Sequence, residues 1–137
     1  MDTESSSSHA ADQRTRWGDA VDPGMLIVPA ILLRHQQRLG LTPLEMLLVL
    51  NIVAEWDEPN ELPSPRPSVL AKRIGTSPRT IQRAITKLAQ AGLVERRPSE
   101  TCRGMTVRRF DLSGLRKRLQ ELSLPQARVR PDASKAA

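Results

Sequence analysis

The chain has little of several residue types on which enzymes depend. Its 137 residues include one cysteine, two histidines and three aromatic side chains, none of them tyrosine. A single cysteine, Cys102, can form neither an intramolecular disulfide nor a thiolate zinc site. The sequence supports no Ser-His-Asp or Cys-His arrangement and no glycine-rich phosphate loop. We therefore expect no catalysis, no cofactor and no metal.

The few aromatic residues and the short apolar runs exclude two further classes. Trp17, Trp56 and Phe110 are too few to stack successive bases, which argues against a single-strand binder of the stacking type. The apolar run 44–54 is too short to span a bilayer. The N-terminus is acidic and serine-rich without an apolar core, so it is not a signal peptide. These features predict a cytoplasmic, nucleoid-associated protein without a membrane partner.

Positive charge is abundant and concentrated in one part of the chain. The formal net charge is +6 and the sequence pI is about 10.7. Between residues 64 and 110, eleven lysines and arginines accompany only two glutamates, so the rest of the chain is slightly acidic. A basic segment in a slightly acidic protein predicts a polyanionic partner.

We predict one domain over residues 17–124, between a disordered tail at 1–16 and a flexible basic tail at 125–137. Patterns of apolar residues, caps and prolines place the secondary structure. Helices are expected over 30–39, from 43 to about 56, from 65 or 67 to 74, over 78–90 and over 111–123. Strands are expected over 93–97 and 105–110, with a loop at 98–104.

The segment 64–92 has the layout of a helix-turn-helix. Its first helix stops at Gly75, which suits a left-handed C-cap, and Ser77 then caps a helix that starts at Pro78. Apolar residues at helical spacing predict the buried side of this second helix: Ile81, Ala84, Ile85 and Leu88. A helix-turn-helix places its second helix in the DNA major groove.

The residue types on the opposite side of that helix suit DNA, because arginine pairs bidentately with guanine and glutamine with adenine. The recognition-helix candidates are Ser77, Arg79, Thr80, Gln82, Arg83, Thr86 and Lys87. The candidates on a β-hairpin wing over 93–110 and for backbone contacts are Lys72, Arg73, Arg96, Arg97, Arg103, Arg108 and Arg109. A solvated helix or a charged edge hairpin would carry similar residues, but the tight turn and the repeated positive charge favour double-stranded DNA.

The C-terminal helix carries leucines at a 3-4-3 spacing, which is typical of a packing seam. They are Leu112, Leu115, Leu119 and Leu122. The seam can pack on its own domain or on a second subunit. Helix-turn-helix proteins often bind palindromes as dimers, so we expect a homodimer with these leucines at its interface.

The run 70–83 reads Leu-Ala-Lys-Arg-Ile-Gly-Thr-Ser-Pro-Arg-Thr-Ile-Gln-Arg and is followed by Leu-Ala-Gln-Ala-Gly-Leu-Val at 88–94. This pattern resembles the bacterial winged helix-turn-helix of GntR- and MarR-like modules and of small phage and plasmid proteins, including replication-initiator domains. The resemblance covers about residues 41–122. It implies a mainly α fold with a small β-hairpin and flanking N- and C-terminal helices, and it implies that Arg79, Thr80, Gln82 and Arg83 face DNA.

The expected function is sequence-specific binding of double-stranded DNA by a small transcriptional regulator, a repressor that acts by occupying its operator. Two alternatives stay open. One is a plasmid or phage protein that binds a replication origin, and the other is a winged-helix module that binds a protein within a larger complex. The sequence indicates neither the target DNA, nor a small-molecule effector, nor redox control through Cys102.

Overall fold

The computed structural model describes residues 11–57, 61–102 and 105–124, without the side chains of 98–107. These residues are mainly helical and include one two-stranded antiparallel sheet. The elements are α1 (Ala30–Arg34), α2 (Pro43–Ala54), α3 (Pro67–Ile74), α4 (Pro78–Gln90), β1 (Glu95–Cys102), β2 (Met105–Asp111) and α5 (Ser113–Ser123). Residues 1–10 of the tail predicted at 1–16, and all of the tail predicted at 125–137, lie outside the described residues.

The segment ahead of α1 is more ordered than its composition predicts. Residues 11–17 are helical and continue into a 3-10 turn over Gly18–Val21, although we expected disorder over 1–16. Arg14 forms ion pairs with Asp19 and Asp22 in and after that turn. Ion pairs between neighbouring turns favour helix over coil, and polar composition alone does not reveal them.

The central helix α2 begins with the predicted capping box. The Thr42 hydroxyl accepts a hydrogen bond from the Glu45 backbone N–H at 3.1 Å, and the Glu45 carboxylate accepts one from the Thr42 N–H at 3.0 Å. These two bonds satisfy N–H groups at the start of the helix and explain why Glu45 is buried. Further along, Leu48 and Ile52 are fully buried, so α2 lies at the centre of the core.

The short first helix ends earlier than expected. We predicted a helix over 30–39, whereas α1 stops at Arg34 and hydrogen-bonded turns follow as far as Gly40. The Leu41 N–H then donates to the Gln36 carbonyl at 3.1 Å, which closes the connection to α2. Leu39 and Leu41 are buried, so the turns bring both leucines onto the core where a continued helix would have separated them.

The hairpin is longer than predicted, because β1 continues through Pro98 to Cys102. The Phe110 N–H donates to the Pro63 carbonyl at 2.9 Å, so Phe110 turns its backbone groups away from β1. Arg108 lies two residues earlier on β2, so its backbone N–H and C=O groups also point away from β1. Pro98 pairs with Arg108 in the register. The N–H that Pro98 lacks would therefore not have bonded to β2, and the sheet loses no hydrogen bond. The loop predicted at 98–104 is therefore wrong over 98–102.

The leucines of α5 pack inside the chain. Leu112 and Leu115 are buried in the common core, and Leu119 and Leu122 are partly buried against it. The side chain of Arg118 reaches the backbone carbonyl of Arg38, which ties the outer side of α5 to the connection after α1. Leu112 and Leu115 therefore have their partner within the chain, whereas Leu119 and Leu122 keep part of their surface exposed, and the homodimer stays a prediction.

Helix α5 starts in direct contact with the turn that follows α4. The Leu115 N–H donates to the Leu93 carbonyl at 3.0 Å. A Cβ on Gly114 would fall well inside van der Waals contact with the backbone carbonyl oxygen of Gly92. Gly92 itself has a φ of 75°, which favours glycine. The two glycines together allow this backbone approach.

Replacing Gly114 with alanine is expected to lower the free energy of unfolding by about 1–3 kcal/mol, the usual cost of overpacking. The added methyl group meets backbone, which cannot rotate away as a side chain would. Urea unfolding followed by circular dichroism measures the change. Lys117→Ala, at an exposed position of the same helix, is the control and should stay within about 0.5 kcal/mol of wild type. Equal stability of both variants would contradict the close approach.

Candidate nucleic-acid interface

A tight turn joins α3 to α4. Gly75 ends α3 with a φ of 89°, and the N–H groups of Gly75 and Thr76 both donate to the Ala71 carbonyl, at 2.8 and 2.9 Å. The Ser77 hydroxyl accepts the backbone N–H of Thr80 at 3.1 Å and lies 2.9 Å from the Thr80 hydroxyl. The predicted C-cap and N-cap are confirmed. The same bonds commit Ser77 and Thr80 to fixing the start of α4.

Helix α4 has one buried side and one cationic side. The predicted inward residues are all buried: Ile81, Ala84, Ile85 and Leu88. The opposite side forms one shallow concave surface lined by Arg79, Gln82, Arg83, Thr86, Lys87 and Gln90. We call this surface the α4 face. Among the described residues, no carboxylate forms an ion pair with Arg79, Arg83 or Lys87.

Arg96 connects the hairpin to α4. Its guanidinium donates to the Thr86 hydroxyl at 3.0 Å and to the Gln82 backbone carbonyl at 3.3 Å. The Thr86 hydroxyl in turn donates to the same Gln82 carbonyl at 2.9 Å. Both Arg96 and Thr86 were predicted as DNA contacts. Their polar atoms bond to each other and to the helix backbone, which sets the position of the hairpin beside the α4 face.

Three other arginines among the predicted contacts are held within the chain. Arg73 pairs with Glu55 at 3.2 Å. Arg109 donates to the Leu62 carbonyl at 2.8 Å and lies 3.7 Å from the Glu61 carboxylate. Arg97 pairs with Asp111 and Glu95. Lys72 and Arg108 are exposed, and Arg103 lies outside the described residues.

The contact between Arg97 and Asp111 stabilises the junction of the hairpin and α5. The carboxylate of Asp111 accepts the Ser113 backbone N–H at 2.9 Å and the Arg97 Nε–H at 2.7 Å. The bonds from Ser113, and then Arg97, lower the pKa of Asp111 below its ordinary value. The same hydrogen bond and charge raise the pKa of Arg97. Asp111 is therefore an anchor for the first turn of α5.

A cleft of about 430 Å³ lies beside the α4 face and was not foreseen from the sequence. It opens between the segment 64–68, the start of α4 and the hairpin. Its lining residues are Ser64, Pro65, Arg66, Pro67, Ser68, Pro78, Gln82, Ile85, Arg96, Arg108 and Phe110. We call it the proline cleft. No local sequence signal marks it, because its walls come from three separate parts of the chain.

Metal and membrane features were also tested on the described residues. Over 11–57, 61–102 and 105–124, no group of three or more His, Cys, Asp or Glu side chains is arranged to hold a metal ion. In that same part of the chain, no helix is long and apolar enough to cross a bilayer.

The geometry defines a small, mainly helical domain that presents one cationic helix side next to a two-stranded hairpin. Its sequence matches the DnaD N-terminal domain over residues 28–129, so the chain belongs to that family. Its fold is similar to the crystal structure of the N-terminal domain of DnaD protein from Geobacillus kaustophilus HTA426. The TM-score is 0.61 at 24% identity, covering 86% of this chain and 96% of that one. No curated protein matches the sequence.

The family corrects the resemblance drawn from the motif alone. The motif resembled GntR- and MarR-like modules and small proteins that include replication-initiator domains. The match is to the DnaD N-terminal domain, a replication-related family, and not to GntR or MarR modules. The run 70–94 encodes a helix cap, a tight turn and one buried side of a helix, and many helix-turn-helix families share these features. Such a run therefore indicates the local geometry and cannot separate the families that use it.

Replacing Asp111 with asparagine is expected to flatten the acid dependence of stability. The folded-state pKa of Asp111 is lowered, so its contribution to stability is fully present above the ordinary pKa of 3.8. That contribution is lost as the pH falls through the lowered value. Urea unfolding at about pH 7 and at about pH 3 should show a smaller loss for Asp111→Asn than for wild type.

Asp12→Asn is the control for this experiment. Asp12 is exposed and forms no ion pair among the described residues. This variant should lose as much stability as wild type between the two pH values. If Asp111→Asn also follows the wild-type acid dependence, the carboxylate does not anchor α5 in the way described.

Proposed function

We propose that this chain is a winged helix-turn-helix domain that binds double-stranded DNA in a replication-related role. In this proposal α3 and α4 form the helix-turn-helix, α4 enters the major groove and the β1–β2 hairpin is the wing. The observation that carries the proposal is the α4 face. Three cations and two glutamines project from a helix whose other side is fixed in the core, and the cations have no ion-pair partner among the described residues.

The arginines and other polar residues that are not held within the chain can be assigned different roles in binding DNA. Arg79, Gln82 and Arg83 lie near the N-terminal half of α4, the part that reaches base edges when such a helix enters a groove. Lys87 lies a turn further along and suits a backbone phosphate. Arg108 is exposed at the edge of the cleft beside the α4 face and suits the flanking backbone.

Family membership favours replication over the regulator that we first expected. The DnaD family is replication-related, which fits the replication-origin alternative better than a repressor at an operator. Mapping the bound sites on the genome tests this choice. Sites clustered at a replication origin support the proposal, whereas sites clustered at promoters would restore the regulator.

The proposal includes no catalytic activity. His35 and Glu45 illustrate the reason, because His35 lies alone beside α1 and Glu45 is occupied by the capping box of α2. A protein-interaction module is the second candidate, and the proline cleft favours it as an additional role. It does not replace the DNA role, because the cleft leaves the outer cations of α4 unused.

Arg83→Ala is expected to weaken specific DNA binding by about 1–3 kcal/mol and to relax base preference at one position. The target is first obtained by selection from random duplexes at about 150 mM salt, near physiological ionic strength. Fluorescence anisotropy with the selected duplex and with scrambled duplexes then measures affinity and preference. The loss should be largest on the selected sequence, because a base contact contributes only there.

Arg73→Ala is the matched control, since it removes the same group from an arginine that pairs with Glu55. Its effect should be smaller and equal on selected and scrambled duplexes. Identical losses for the two variants would show that α4 contributes charge without base recognition. An absence of any enriched sequence would reject specific DNA binding altogether.

Arg96→Lys tests the bridge between hairpin and helix. Lysine keeps the charge but cannot hold two oxygen atoms with a planar group. We expect about tenfold weaker DNA binding, or 1.4 kcal/mol, with an unchanged slope of log affinity against log salt. Arg108→Ala should instead reduce that slope by about one. Unchanged affinity of Arg96→Lys would contradict the bridge, because it would show that positive charge alone suffices at residue 96.

A further inference from the structure

The proline cleft combines an apolar floor with a cationic rim. Phe110 and Ile85 are buried at its base, and three prolines complete its apolar lining: Pro65, Pro67 and Pro78. Its volume of about 430 Å³ lies within the range of sites that enclose a small group. Surfaces that are both concave and apolar bind an apolar group well, because filling them removes apolar area from water.

The hairpin register places two arginines over this floor. Arg96 pairs with Phe110 across the strands, and Arg108 lies two residues from Phe110 on β2. Side chains two residues apart, or directly paired, share one face of a sheet. Arg96, Arg108 and Phe110 therefore point to the same side, towards α4.

The third cation comes from the opposite wall. Arg66 immediately precedes α3 and is exposed at the cleft. No aspartate or glutamate is among the lining residues, so no carboxylate within the cleft offsets the three charges. The first turns of α3 and α4 also begin here, and the positive ends of their helix dipoles add to the positive potential. The Arg96 guanidinium also donates to the Thr86 hydroxyl, and a peptide carboxylate would compete with that hydroxyl for it.

We propose that the proline cleft binds an acidic peptide segment of a partner protein, with one apolar side chain on the floor and flanking carboxylates at the arginines. The three arginines require a ligand with negative charge. The apolar floor favours a peptide over a DNA backbone. A duplex presents phosphates to such a rim, but it has no projecting apolar group that would fill the floor. A peptide supplies both groups within two or three residues.

The test uses the full chain and a short fluorescein-labelled peptide in which Asp alternates with Leu, read by fluorescence anisotropy. Two control peptides separate the contributions. One alternates Asp with Ser and keeps the charge, and the other alternates Lys with Leu and keeps the apolar groups. The Asp-Leu peptide is expected to bind at least tenfold more tightly than either control.

Arg66→Glu and Lys72→Glu form a matched pair of variants. Both reverse one charge at an exposed position, but only Arg66 lines the cleft. Arg66→Glu should weaken Asp-Leu binding at least tenfold, and Lys72→Glu should weaken it far less. Ser68→Trp fills the cleft without changing charge and should also abolish binding. Thermal unfolding of each variant verifies that it is folded.

Three results would overturn the proposal. Equal affinity for the Asp-Leu and Asp-Ser peptides would show that the cleft attracts negative charge without using its apolar floor. Equal effects of Arg66→Glu and Lys72→Glu would place the peptide elsewhere. Weakened binding of a DNA duplex by Arg66→Glu, with the Asp-Leu peptide failing to bind wild type, would assign the cleft to the DNA backbone.

Discussion

The rotation of α4 about its own axis depends on the burial of one side of that helix. Ile81, Ile85 and Leu88 are fully buried, and burying each such side chain contributes about 1.5–3 kcal/mol. Turning the helix by one residue position would expose part of this stripe and would bring Arg83 or Arg79 towards the core, where an unpaired charge is costly. The core therefore determines which side chains the α4 face presents, and the cap at Ser77 determines where that face begins.

The arginines that were predicted to contact DNA include two groups with different consequences. Those at 73, 96, 97 and 109 bond to carboxylates, carbonyls or a hydroxyl within the chain, and they hold the hairpin, α3 and α5 in place. Those at 79 and 83 have no such partner among the described residues. A count of positive charge overstates the cations available to a ligand, since arginines paired with carboxylates, such as Arg73 and Arg97, contribute little net field. Arg96 keeps its charge, because its acceptors are neutral. The cationic surface is thus smaller than composition indicates.

Features encoded by neighbouring residues could be predicted, and features formed by distant residues could not. The Thr42–Glu45 capping box and the bounds of α4 follow from local spacing and are present as expected. The passage of β1 through Pro98 depends on a contact from Pro63 to Phe110, and the proline cleft depends on three segments at once. The leucine spacing of α5 correctly indicated a packing seam, but periodicity does not tell whether the partner belongs to the same chain.

The α4 face and the proline cleft are not independent surfaces, because Gln82 lines both of them. The backbone carbonyl of Gln82 is also the acceptor for Arg96. A peptide that draws the Arg96 guanidinium towards its own carboxylate would therefore loosen the bond that positions the hairpin beside α4. Coupling between two sites is reciprocal, so DNA bound on α4 would weaken the peptide by the same factor. With DNA on α4 and a peptide in the cleft as proposed, each ligand would favour release of the other without any large movement of the core.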